Sequence, residues 1–178
     1  MIRRSLAFGV LALSALVLQS TLASVMPATF VPDLILILVI VSALYLDPLP
    51  GLALAFALGY GADLLSAAPM GHHALLRMLA FSVTALVCNQ FHLGRASTLA
   101  LFTLAVSVAD AAGTAGLSLL FSARFPIGWG VLRDVLILAL SNAVFAPMVS
   151  SLVRSLIELV SENEVRRSVR LAAGTVRR

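Results

Sequence analysis

A chain of 178 residues, 61% of them apolar and with a mean hydropathy of +1.06, has no room for a sizeable soluble domain. Its basic balance rests on twelve arginines and no lysine, against eight acidic residues. The apolar runs do not alternate with polar residues as barrel strands do. Backbone groups in lipid must be satisfied within the segment, so helices remain. The expected fold is an all-α integral membrane protein, a bundle of about six transmembrane helices of roughly 20 residues each.

The first span is expected at about 5–25, after Ile2, Arg3 and Arg4. A positive stub before an apolar run also begins a secretory signal. This run is longer than a signal's apolar core of roughly 7–15 residues, and no clean Ala-x-Ala follows it. Pro27 and Pro32 bracket a connection, and Asp33 precedes a second run over 34–46. That run is short and must borrow flanking residues, tilt or thin the bilayer. Asp47-Pro48-Leu49-Pro50-Gly51 then breaks the chain and makes the second and third spans a hairpin.

The third span, about 51–65, is rich in small residues, and Ala67-Ala68-Pro69-Met70-Gly71 with His72 and His73 turns the chain again. The remaining spans are expected at about 74–91, 97–121 and 135–153. This divides the chain into a six-helix membrane domain over 1–155 and a basic cytoplasmic tail over 156–178. With the amino terminus inside, Arg3, Arg4, Arg95, Arg154, Arg166, Arg167, Arg170, Arg177 and Arg178 are cytoplasmic, and Arg124 and Arg133 outside. That bias follows the positive-inside rule and places both termini in the cytoplasm, with Trp129 at the outer interface.

The tail carries Glu158, Glu162 and Glu164, then the last five arginines. It either fixes topology, lies on an anionic leaflet at about 1 kcal/mol per Arg, or touches a cytoplasmic partner. The sequence pI of 10.6 arises largely there, and nothing in it resembles a nucleic-acid module. The chain's expected surroundings are therefore the lipid bilayer, with no nucleic acid.

Ionisable residues at bilayer depth are costly unless paired or hydrated, which singles out Asp63, Arg77 and Asp110. Asp63 lies just before the outer turn and Arg77 just after it. An antiparallel hairpin predicts an ion pair between them, serving either to lock the hairpin or to face a partner or cavity. Asp110 lies near the centre of its span with no cation one turn away. It is expected to face the bundle interior, with Asn142 at similar depth as a hydrogen-bond donor. Ala109 with Gly113, and Ala112 with Gly116, form small-xxx-small pairs that suit helix contact, as do Gly51, Gly59 and Gly61.

His72 and His73 sit at the outer turn and His92 at the inner end, so a shared metal is not expected and the first two read as interfacial loop residues. Cys88, the single cysteine, implies neither disulfide nor metal framework. No nucleotide loop, nucleophile elbow, zinc pair or carboxylate dyad is visible. The expectation is a non-enzymatic protein without a cofactor.

Three segments carry a resemblance: Pro32-Asp33-Leu34-Ile35-Leu36, Gly59-Tyr60-Gly61-Ala62-Asp63-Leu64-Leu65-Ser66, and Pro69-Met70-Gly71 followed by His73-Ala74-Leu75-Leu76. Together they resemble the rod shape-determining protein MreD family. The resemblance implies a bacterial inner-membrane scaffold of the elongation complex that binds the transmembrane helix of MreC. Through it the scaffold acts with MreB and the peptidoglycan synthases in lateral wall synthesis and cell shape. It also implies a fold similar to the substrate-binding subunits of energy-coupling-factor transporters.

The positions expected to carry structure or partner binding are Pro32, Asp33, Gly59, Asp63, Gly71, Arg77, Asp110 and Asn142. The rival expectation is a small-molecule-binding membrane subunit of a transporter, with a cavity lined by Asp110, Asn142 and Tyr60.

Overall fold

The computed structural model describes residues 2–25, 27–66, 70–88, 90, 93–122 and 128–175, with the side chains of 2–7, 28, 121–122 and 160–175 left aside. Among the described residues all regular structure is helical. The helices are α1 (Ile2–Val25), α2 (Leu34–Ser42), α3 (Pro48–Ser66), α4 (His72–Cys88), α5 (Ala96–Ser122) and α6 (Trp129–Thr175), with a short 3-10 turn at Ala28–Phe30.

The bundle is organised around α2. Its sequence, LILILVIVS, is apolar on every side, the pattern of a helix surrounded by protein or by lipid. Residues 35–42 are all buried, and α2 touches each of the other five helices. At 1.5 Å per residue it is only about 13 Å long. That is under half of a hydrocarbon core of roughly 30 Å. The second apolar run therefore does not form the expected uninterrupted helix over 34–46. After Ser42 the chain tightens, with Leu44 N–H donating to Val41 O at 3.1 Å and Tyr45 N–H to Ser42 O at 3.0 Å.

The helices around α2 form two antiparallel pairs, α3 with α4 and α5 with α6, completed by α1. Pro48 opens α3, where its missing N–H has no intrahelical acceptor to lose. Glycines set the closest approaches. A methyl group added at Gly59 would lie 2.5 Å from Ala74 Cα, and one at Gly113 would lie 2.6 Å from Leu76 Cδ2. Gly51 lies against the Phe81 ring. Gly116, by contrast, has nothing within 4 Å, so only one of the two small-residue pairs around Asp110 makes a tight contact.

Four helices contain segments long and apolar enough to cross a membrane: Phe8–Val25, Pro48–Ser66, Ala96–Leu120 and Trp129–Leu159. Their outward residues are apolar as well, with Leu120 79% and Val144 66% exposed, as a lipid-facing surface requires. Helix α4, with 17 residues, is shorter. Helix α6 continues without a break to Thr175, so the boundary expected at 155/156 falls inside a helix of 47 residues.

Candidate functional site

The site begins at the entry to α2. Pro32 delivers the chain to Asp33, whose Oδ1 accepts the Leu36 N–H at 2.9 Å, a capping bond for one of the amides that an α-helix leaves unpaired at its start. Asp33 N–H in turn donates to Asn142 Oδ1 in α6 at 2.7 Å. Asn142, 1% exposed, completes its bonding by donating from Nδ2 to Ser107 Oγ in α5 at 3.0 Å. Gln19 of α1 reaches the same point, accepting the Ile35 N–H at Oε1 and approaching Asp33 Oδ1 with Nε2 at 3.5 Å.

Arg77 joins this cluster from α4. Its Nη2 lies 2.5 Å from Asp33 Oδ2 and its Nη1 2.5 Å from Asp110 Oδ1, so one guanidinium bridges α2 and α5. The Arg77 side chain is 3% exposed, those of Asp33 and Asp110 16% and 15%. The planar fork of arginine suits this double pairing, which the point charge of an ammonium cannot copy. Its Nε is buried without a partner.

The expected Asp63–Arg77 pair is not formed. Asp63 instead caps α4 from the end of α3: its carboxylate accepts the N–H groups of Gly71 at 2.9 Å, His73 at 2.9 Å and Ala74 at 3.3 Å, and contacts His73 Nδ1 at 2.8 Å. A helix amino terminus carries unpaired donors and a partial positive charge, and a carboxylate placed there takes up both. Gly71 permits the geometry with φ +91, a backbone region that side-chain-bearing residues rarely adopt. Arg77, more than a turn further along α4, faces α2 and α5 instead.

Other expectations shift with it. Asp110 faces the interior but bonds Arg77, and Asn142 bonds Asp33 and Ser107 rather than Asp110. His72 and His73 are not loop residues but the first two of α4, with His72 buried and the rings 5.4 Å apart. Among the described residues no three His, Cys, Asp or Glu side chains stand together as metal ligands; His92 lies outside the described residues. Tyr60 stacks on Phe56 along the outside of α3 and is 38% exposed.

A cavity of about 430 Å³ opens beside the cluster, lined by α1, α2, α3 and α4. Its polar wall comprises Gln19, Ser20, Ser24, Asp33, Ser66, His73 and Arg77, rather than the Asp110, Asn142 and Tyr60 of the transport expectation. Gln19, Ser107 and the capping role of Asp63 are the features that sequence reasoning missed. Gln19, the one amide inside the first apolar run, was the available signal.

Taken together, α1, α2, α4, α5 and α6 each contribute a side chain to one buried polar cluster, and Asp63 ties α3 to the start of α4. Chemically the arrangement locks helices and leaves a polar cavity beside them. No protein-family model, curated protein or solved structure matches this chain.

Proposed function

We propose that this chain is a non-enzymatic scaffold of the bacterial inner membrane, of the MreD kind, with six membrane crossings and both termini in the cytoplasm. In this reading it binds the transmembrane helix of MreC and thereby helps to direct lateral peptidoglycan synthesis and cell shape. Its fold is that of the transporter substrate-binding subunits. The two shorter helices make their crossings with help from the segments around them, α2 with residues 28–33 and 43–46.

The observation that supports this reading is the convergence of the residues that carry the resemblance. Asp33 caps α2 and holds Arg77, Gly59 brings α3 onto Ala74, and Asp63 collects Gly71 and His73. These positions specify one arrangement of α2, α3 and α4 and leave the outer faces apolar. A partner helix would bind such a face through packing and interhelical hydrogen bonds.

The test is a mild-detergent pull-down of the tagged chain from its native membrane, with mass spectrometry. Recovery of a single-span periplasmic protein with wall synthases is expected. Recovery of an ATPase pair with a coupling subunit would sink the scaffold reading. It would favour the second one, a small-molecule-binding transporter subunit, for which the observation is the polar cavity beside Asp33 and Arg77.

A further inference from the structure

We infer that the cavity between α1, α2, α3 and α4 binds a small organic cation, an ammonium group on an apolar body; this rests on the second reading above. At about 430 Å³ the space falls in the range of roughly 300–1,000 Å³ typical of small-molecule sites. Leu16, Ile35, Ala62 and Leu65 supply apolar walls, and the polar groups converge opposite them.

The sign of the ligand follows from the charge balance. Asp33 and Asp110 share Arg77 as their one cation among the described residues, while Asp63 is taken up by the amino terminus of α4 and the cavity-lining His73. With both carboxylates ionised, the cluster therefore holds an excess of one negative charge. An anion would find only the buried Nε unpaired on a guanidinium whose two Nη atoms already lie on carboxylates. An ammonium finds the Asp33 carboxylate, shared with Arg77 and the Leu36 N–H, and the hydroxyl oxygens of Ser20, Ser24 and Ser66, all on the cavity wall. It also offsets the excess charge at bilayer depth, where unbalanced charge is costly.

A free amine and the headgroup of an aminophospholipid carry the same ammonium chemistry. The experiment uses the purified full chain and three probes of one size: phenethylamine, phenylethanol and phenylacetate. Thermal unfolding should show a saturable rise in Tm with phenethylamine, with at least about tenfold weaker effects from the other two. Ala62→Leu, which fills the cavity, and Ser24→Leu at its wall should each weaken that effect about tenfold. Either variant suffices if the other does not fold.

Native mass spectrometry from phosphatidylethanolamine nanodiscs separates the two sources. A retained lipid displaced by phenethylamine supports the proposal with the lipid as ligand; binding of the free amine without retained lipid supports it with a soluble one. Preference for phenylacetate or phenylethanol overturns the charge assignment while leaving the ligand-binding reading in place. No binding of any probe and no retained lipid overturns the proposal. An ATPase pair recovered from membranes in that case keeps the transporter reading, with a different ligand.

Discussion

Arg77 and Asp33, 44 residues apart in the chain, meet 2.5 Å apart where α4 passes the start of α2, and the same arginine holds Asp110 of α5. Removing the arginine would leave two carboxylates inside the bundle without a cation. Arg77→Met should therefore cost about 3–5 kcal/mol, the range for breaking a buried pair from one side. Arg77→Lys should recover only part of this, because an ammonium cannot bridge two carboxylates through a planar fork. Asp110→Asn should be the mildest, since it leaves a balanced Arg77–Asp33 pair. Unfolding midpoints in detergent would rank the three, and a larger loss in Asp110→Asn than in Arg77→Met would overturn this account.

Asp63 is independent of Arg77. Asp63→Ala removes the acceptor for three backbone N–H groups at the start of α4, with an expected loss of about 1–3 kcal/mol for the buried donors left behind. A double-mutant cycle should give coupling within about 0.5 kcal/mol for Asp63 with Arg77. For Asp33 with Arg77 it should exceed about 1 kcal/mol. Strong coupling in the first pair would restore the hairpin ion pair expected from the order of charges along the chain.

That contrast shows where sequence reasoning reached and where it stopped. Uninterrupted apolar runs without alternation identify helices, and Asp47-Pro48 with the turn at Met70 and Gly71 marks their limits. Composition does not say what surrounds a run. The residues of α2 are as apolar as any lipid-facing stretch, yet they are enclosed by the other five helices. Run length is the available signal, since roughly 10–14 apolar residues are too few to span alone and suit a helix enclosed by its neighbours.

Depth along a hairpin brought Asp63 and Arg77 to one level, but a helix amino terminus offers donors at closer range than a side chain more than a turn away. The Asp33–Arg77–Asp110 bridge joins three separate helices. Spacing within any one hairpin carries no trace of it.

Gly59 and Gly116 both sit in small-residue patterns, yet only the first brings two backbones together. Gly59→Ala puts a methyl 2.5 Å from Ala74 Cα and 2.7 Å from His73 O, atoms of the main chain that cannot rotate aside. The helices must separate, at an expected cost of about 1–3 kcal/mol. Gly116→Ala meets nothing within 4 Å and should be neutral or slightly stabilising, since alanine favours the helix by up to about 1 kcal/mol over glycine. Parallel thermal unfolding of the two variants checks this, and equal Tm values would remove the close α3–α4 contact from the account.

Asn142 joins the entry of α2 to α5 and α6 through one side chain. Asn142→Leu removes the acceptor for Asp33 N–H and the donor to Ser107 Oγ, and the amide left unpaired is main chain at the head of a buried helix. The expected cost is about 1–3 kcal/mol. Asn142→Asp keeps the acceptor and should hold that bond, but it adds a further negative charge to a cluster already short of cations. It should therefore destabilise at neutral pH and recover as the medium is acidified enough to protonate the new carboxyl. Ser107→Ala leaves the Asp33 bond intact and should cost less than either. Hydrogen exchange at the Asp33 amide distinguishes the variants: faster exchange in Asn142→Leu with protection kept in Ser107→Ala supports the bond as the anchor of α2. Unchanged protection in Asn142→Leu would assign that role to Asp33 and Arg77 alone.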